Sequence, residues 1–366
     1  MRIAIDLTSL ADNFSGIERH AAELSRALLG IDGKNEYLIV FKEFVHPFFE
    51  GVADVYPNVE VAVLPRGTMG KLYFSQFTLA RELKKLHADL VLFLAFPAPL
   101  LYTGRAISTF HDLCWHDVPA TMLPKSRLYW KVLEKINARR NEKILTISQF
   151  SKNRIVDVLN IPNGKVVVTY CGIDGSLFNC DNAASVPFQT LRDKYGLPDS
   201  YVLTLSTIEP RKNIGLLIEA WAKACTEGDY KHDLVLAGRK GWGQETLLEQ
   251  VPDVLKGRVH FTGFVDNEDL PSLYANSELF VFPSIYEGFG LPPVEAAYSG
   301  ARVLCSDIPC LKEICGDGVK YFKNGDAADL CRFLLAPAHS EQNGSCVRKY
   351  AWGDSALVLV REVLND

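Results

Sequence analysis

Two carboxylates, Glu287 and Glu295, stand eight positions apart in YEGFGLPPVEAAYSG, residues 286–300. Pro292 and Pro293 suit the first positions of a helix, where no amide hydrogen is needed, and Gly300 suits its close. Gly288 and Gly290 let the preceding backbone turn sharply and let a ligand come near. The amides of Phe289, Gly290 and Leu291 are then expected to face outward from a helix N-terminus, a ready anion site. Glu287 falls in the loop before that site, and Glu295 is expected within the first helical turn. On this segment alone two readings stand: a ligand-holding loop, or a solvated Glu287 with Glu295 merely complementing the helix dipole.

A second loop bears on the choice. STIEPRKNIGLLIEAW (206–221) follows an apolar strand candidate and opens an amphipathic helix carrying Ile214, Leu217, Ile218 and Trp221. Arg211 and Lys212 therefore stand at a helix N-terminus, where the dipole disfavours cations, a placement that makes sense if an anion lies between them and the amides. A helix end contributes about 0.3–1 kcal/mol per exposed charge. A cation at 4 Å contributes about 4 kcal/mol at an effective dielectric near 20, so the basic pair dominates any such site. The bland reading is a solvated basic pair.

The elements that must position these loops are those of a parallel α/β protein. RIAIDL, EYLIVF, VEVAVL, DLVLFLAF, AISTFH and KILTIS are strand candidates in the first half, and YVLTLST, HDLVLAG, RVHFTGF, LFVFPS and ARVLCS form a second series. Helical patterns alternate with them, the signature of stacked βαβ units. GIERHAAELSRALLG (16–30) reads as a helix ended by Gly30. The poorly periodic stretch around 172–198 reads as a linker. The fold expected is two doubly wound Rossmann-like domains facing across a cleft, with ligand sites at the C-terminal strand ends. The expected boundaries are 1–174, 175–350 and a C-terminal helix, 351–366, packing back toward the first domain.

At 366 residues, two domains are the natural prior, and 48% hydrophobic with 23% charged residues is ordinary for a globular protein. A net charge of -5 gives no general attraction to nucleic acid, and no nucleic-acid motif is present. Nine cysteines without a small-domain framework read as free thiols in a reducing compartment. Cys305, Cys310 and Cys315 recur every five residues, which matches no common zinc spacing. The N-terminal MRIAIDLTSL does not read as a secretory signal, because Asp6 interrupts its apolar run. LVLFLAFPAPLLY (90–102) is too short to span a bilayer and contains Pro97 and Pro99. The expected location is cytoplasmic, with peripheral contact at the inner face of the membrane left open.

In combination these segments resemble retaining glycosyltransferases of family 4, with the GT-B architecture. The resemblance rests on the Glu287-x7-Glu295 spacing, the EPRKN loop, FTGFV (261–265) and HDL (111–113). SGI (15–17), TISQFSK (146–152), CGID (171–174) and YAWGDSA (350–356) follow in the right order. The resemblance implies that Arg211 and Lys212 neutralise the diphosphate of a nucleotide-sugar donor. Glu287 and the backbone of Phe289, Gly290 and Leu291 would meet its sugar and phosphate, and Glu295 both ribose hydroxyls, a bidentate task suited to a carboxylate. Gly263, Phe264 and Val265 would meet the base, Glu209 would stand on the donor side, and Gly16 would let the N-terminal loop approach the diphosphate. Many relatives carry a second glycine where this chain reads SGIER, so Gly16 alone carries that expectation. His111 would contact the transferred sugar, whereas a strand-end histidine is otherwise a structural hydrogen-bonder. Asp112 would cap the following turn, and His116 and Asp117 would neighbour the acceptor path.

The chain lacks the Asp-x-Asp pair that clamps a divalent ion on a nucleotide sugar, so no metal and no cofactor are expected. The resemblance implies a hexose donor, first GDP-mannose as in mannosyltransferases of O-antigen and exopolysaccharide assembly, with a UDP-sugar as the alternative. A nucleotide-sugar epimerase or a non-catalytic sugar-nucleotide sensor would share the architecture. A dinucleotide-dependent dehydrogenase is disfavoured, since GFGLPP lacks the third glycine of that fingerprint. PKSRLYWKVLEKINARRNEK (124–143) carries seven Lys or Arg against two Glu, with apolar residues interleaved. Arg127, Trp130 and Lys131 are placed there on the acceptor or membrane side. The two readings are a basic amphipathic helix on an anionic membrane and a core-facing helix with a solvated basic back. The resemblance implies a lipid-linked saccharide acceptor.

Overall fold

The computed structural model describes residues 1–11, 14–65, 70–239, 247, 249–336 and 347–364. The chain divides into two compact units, one of residues 1–172 and 350–366, the other of residues 173–349.

In the first unit, seven parallel strands form one sheet: β1 (Arg2–Asp6), β2 (Glu36–Lys42), β3 (Val59–Leu64), β4 (Leu90–Phe93), β5 (Ala106–Thr109), β6 (Ile144–Thr146) and β7 (Val166–Val168). Their order is β3-β2-β1-β4-β5-β6-β7, so the winding reverses between β1 and β4. The central strands are buried along their whole length because helices cover both faces of such a sheet. The helix Gly16–Ile31 is started by a reciprocal cap: Ser15 Oγ accepts the Glu18 amide, and Glu18 Oε2 accepts the Ser15 amide at 2.7 Å. It runs through Gly30 and ends at Asp32, where the expectation had Gly30 as the stop. Leu24 and Leu28 pack with Ala356 and Leu359 of the C-terminal helix Trp352–Leu359 in one core. Ser355 Oγ also donates to the carbonyl of Tyr170.

The second unit has six parallel strands: β8 (Tyr201–Leu205), β9 (Asp233–Ala237), β10 (Val259–Gly263), β11 (Leu279–Phe282), β12 (Val303–Ser306) and β13 (Lys320–Phe322). The order β10-β9-β8-β11-β12-β13 reverses between β8 and β11. The segment expected as a linker instead folds into this unit as two short helices, Cys180–Ala183 and Phe188–Tyr195. Its polarity misled the sequence reading: Asn179 caps the first helix, and Ser272 Oγ holds the carbonyl of Ala183 at 2.9 Å. Cys305, Cys310 and Cys315 are buried. Among the described residues no group of three or more His, Cys, Asp or Glu is arranged to hold a metal ion, and no helix is long and apolar enough to cross a membrane.

Candidate active site

In open α/β sheets the ligand crevice lies beyond the strand C-termini where the winding reverses. In the second unit that point is flanked by the loops after β8 and β11. The first brings Glu209, Arg211 and Lys212; the second brings Glu287. Residues 210–212 form a single 3-10 turn, and Asn213 follows in the left-handed region at φ 53 before the helix Ile214–Glu227 begins. Asparagine tolerates that region better than most other side-chain-bearing residues, so Asn213 turns the chain into the helix at little cost. The Ile285 amide donates to the carbonyl of Arg211 at 3.0 Å, fastening the two loops to each other.

Four side chains meet at this junction. Glu287 is buried; its Oε1 accepts Lys212 Nζ at 2.6 Å and its Oε2 accepts Arg211 at 2.8 Å. The guanidinium also donates to Glu209 Oε1 at 2.6 Å and to the Tyr286 carbonyl at 3.0 Å. Burial works against the Glu287 carboxylate, but the Arg211 and Lys212 charges outweigh it and hold its pKa at about 2. Burial lowers the Lys212 pKa, with Glu287 pulling the other way. The anion expected between the two cations is thus supplied by the chain itself. Glu287 is no solvated loop residue.

The helix Leu291–Tyr298 begins at Gly290, whose φ of 90 favours glycine; an added Cβ there would also come within 2.6 Å of the Leu311 side-chain end. Pro292 and Pro293 remove two of the four amides that normally end a helix, and that of Leu291 is one of the two that remain. Phe289 is buried, and Cys310 Sγ lies 3.6 Å from its carbonyl. Glu295 is the fifth residue of this helix, beyond the first turn where it was expected. There it is buried and accepts the Tyr274 hydroxyl at 3.1 Å, a partner 21 residues away that no local pattern could reveal. At the end of β10, Gly263 accepts the Gly238 amide at 2.8 Å. Phe264 is exposed under the Arg239 guanidinium, 5.4 Å from its ring centre, whereas Val265 is buried in the unit.

In the first unit, His111 lies two residues past the end of β5, not at its end. Its Nε2 sits 3.1 Å from the carbonyl of Ala95, in the loop after β4. A carbonyl only accepts, so Nε2 carries the hydrogen. Burial lowers the His111 pKa, against the pull of Asp112, which favours a neutral ring. His20 of the helix Gly16–Ile31 meets this ring edge to face at 5.0 Å and Trp352 at 5.7 Å. His20 was missed from the sequence because nothing in HAAELSRALL separates it from a surface position. Gly16 is exposed at the start of that helix, and no atom would meet a Cβ there. Asp112 Oδ1 caps the Cys114 amide at 2.9 Å, and Asp117 is held by Arg154 and His116.

The basic helix runs Pro124–Arg140. Its inward face is Leu133, Glu134, Asn137 and Ala138, while Leu128, Val132 and Ile136, four residues apart, are exposed. Helical spacing puts Lys125, Lys135 and Arg139 on that outer face. Nearby, Tyr129 accepts Gln76 Nε2 at 3.0 Å, beside exposed Tyr73 and Phe77. Arg127 Nε instead donates to the Trp115 carbonyl at 3.1 Å, Trp130 is half-buried, and Lys131 is exposed. Arg140 is tied to three carbonyls, of Pro99, Leu100 and Tyr102.

Two family models match the chain: Glycosyltransferase Family 4 over residues 14–177, and Glycosyl transferases group 1 over residues 188–336. O-antigen chain mannosyltransferase B of Escherichia coli is 36% identical over 216 residues, 58% of this chain and 56% of that protein. O-antigen chain mannosyltransferase RfbU of Salmonella typhimurium is 29% identical over 222 residues, 60% of this chain and 56% of that one. The chain thus spans about half the length of these curated relatives. Among solved structures, the sucrose-phosphate synthase of Thermosynechococcus elongatus superposes with a TM-score of 0.72 at 19% identity, covering 97% of this chain and 96% of that one. The chain thus carries a Glycosyltransferase Family 4 domain in its first unit and a group 1 glycosyl transferase domain in its second, and its two Rossmann-like sheets have the GT-B architecture.

Proposed function

We propose that the chain transfers a hexose, first mannose from GDP-mannose, to a lipid-linked or oligosaccharide acceptor during surface-polysaccharide assembly. The observation that carries this reading is the Glu287 carboxylate held between Lys212 and Arg211 at the reversal point of the second sheet. The mannosyltransferase names of the relatives above support the sugar.

In this reading the cations are shared. An ammonium has three donors, and Lys212 spends one on Glu287, so a diphosphate beside it takes the others without breaking the pair. As the glycosidic bond to the diphosphate breaks, negative charge grows on the leaving oxygen, and fixed cations stabilise it more in the transition state than in the ground state. Glu287, kept ionised by its neighbours, accepts from a sugar hydroxyl. Glu295, oriented by Tyr274, accepts from the ribose. Leu291 offers its amide to phosphate, Phe264 meets the base, and the neutral His111 ring contacts the transferred sugar. No carboxylate has been assigned as nucleophile, so retention is proposed to follow from front-face substitution, the leaving phosphate taking the acceptor proton. The reaction is proposed to need no metal. On the acceptor side, the mixed basic and apolar face of Pro124–Arg140 is suited to an anionic membrane surface.

The test is a panel of nucleotide sugars incubated in EDTA with and without membrane lipid extract, reading released GDP or UDP. GDP released from GDP-mannose and increased by lipid supports the proposal. UDP release names the alternative donor, and binding without turnover points to a soluble acceptor or to a sensor.

A further inference from the structure

The first unit contains a pocket of about 180 Å³ beside His111, bordered by the loop after β4 and by the helix Pro124–Arg140. Its walls include Phe96 and Trp130, with ring centres 5.8 Å apart, and Trp115; its polar side chains include Asp112 and Glu134. Glu134 stands out because it is buried in a helix whose other charged residues are all basic. One of its oxygens accepts the Trp115 indole N–H, and no second hydrogen-bond partner is found among the described residues. A buried carboxyl with one partner is costly unless something entering the pocket completes its hydrogen bonding. Burial, with the Asp112 charge behind it, pushes Glu134 well above the usual carboxylic range against the pull of the indole N–H. The shift favours the protonated carboxyl, a form that donates as well as accepts.

The lining selects a ligand chemistry. Among the described residues no Lys or Arg lines the pocket, which disfavours phosphate. An alkyl chain would desolvate Asp112 and Glu134 without replacing their hydrogen bonds. A sugar ring satisfies both demands, giving C–H faces to the aromatic walls and hydroxyls to the carboxyls. The volume is below the roughly 300–1,000 Å³ of sites for drug-sized ligands, which suits one ring and not a chain. We propose that this pocket is the subsite for the terminal pyranose of the acceptor, with Glu134 reading its hydroxyls. This rests on the glycosyltransferase reading above and adds the residues that choose the acceptor.

The experiment is saturation-transfer NMR of methyl α-mannopyranoside on the full chain without nucleotide, followed by acceptor KM in the turnover assay. Saturation is expected on the ring protons. Glu134→Leu should weaken binding at least about tenfold, or about 1.4 kcal/mol, and raise acceptor KM rather than donor KM. Glu134→Gln should bind nearly as the parent does, because its amide oxygen still accepts from Trp115 and its NH2 still donates. A purely structural role would instead lower the thermal midpoint of Glu134→Leu and leave the pyranoside affinity of its folded fraction alone, which overturns the assignment. So does absence of pyranoside binding to the parent chain. The two readings separate cleanly: pyranoside binding without nucleotide-sugar turnover sinks the transferase and leaves the sugar pocket, whereas turnover with equal acceptor KM in parent and Glu134→Leu sinks the pocket alone.

Discussion

Lys212 Nζ lies 2.6 Å from Glu287 Oε1, joining two loops that are 75 residues apart in the chain. The contact answers why two cations sit where a helix dipole repels them: a buried carboxylate from the neighbouring loop stands between them. It also makes the site preorganised, since the same carboxylate that holds the cations is positioned and ionised before any ligand arrives.

Removing that carboxylate leaves the half-buried Arg211 with the Glu209 carboxylate and the half-buried Lys212 without its carboxylate partner. Glu287→Gln is expected to cost about 3–5 kcal/mol at neutral pH, the usual consequence of breaking a buried pair. The pH dependence has a definite sign. The folded pKa of about 2 lies below the ordinary 4.5, so the stabilisation is full above that ordinary value and is lost as pH falls through the folded one. Urea unfolding of both proteins should show a gap that closes between pH 4.5 and about 2. A gap that is constant with pH contradicts the ion-pair account.

The Tyr274 hydroxyl donates to Glu295, so the two should act on the same kinetic quantity. Glu295→Ala is expected to raise donor KM at least about tenfold, or about 1.4 kcal/mol, with a smaller effect on kcat. Tyr274→Phe should raise donor KM less, because the carboxylate remains and only its orientation is lost. Steady-state kinetics over donor concentration decides this; an effect confined to acceptor KM contradicts the ribose role.

The outer face of Pro124–Arg140 should govern membrane contact. Replacing Lys125, Lys135 and Arg139 with Gln removes about 1 kcal/mol per charge near an anionic surface. Sedimentation with vesicles containing anionic lipid should fall steeply for that variant, and the parent should release as salt rises. Vesicle binding that is equal in parent and variant contradicts the assignment.

Much of the fold was legible because its carriers are local. Apolar strand runs alternating with amphipathic helices specify a parallel sheet, and the two prolines marked the start of the helix Leu291–Tyr298. The loops bearing Arg211, Lys212 and Glu287 were legible as turns ahead of helices, but their mutual ion pairs were not, since nothing in either loop encodes its distance to the other. Glu134 shows the same gap. In sequence it is one of two acids in a basic run; only the approach of Trp115, 19 residues earlier, distinguishes it. The apolar residues of that run were ambiguous for a related reason. Leu133 faces inward and Leu128, Val132 and Ile136 outward, a division set by what the helix packs on and not by hydrophobicity.

The most direct test of the central claim is turnover of GDP-mannose by Lys212→Ala, with circular dichroism to establish that the variant is folded. The account predicts a fall in kcat of at least about a hundredfold, equivalent to about 2.7 kcal/mol of transition-state stabilisation. A folded Lys212→Ala protein that turns over at nearly the parent rate contradicts it.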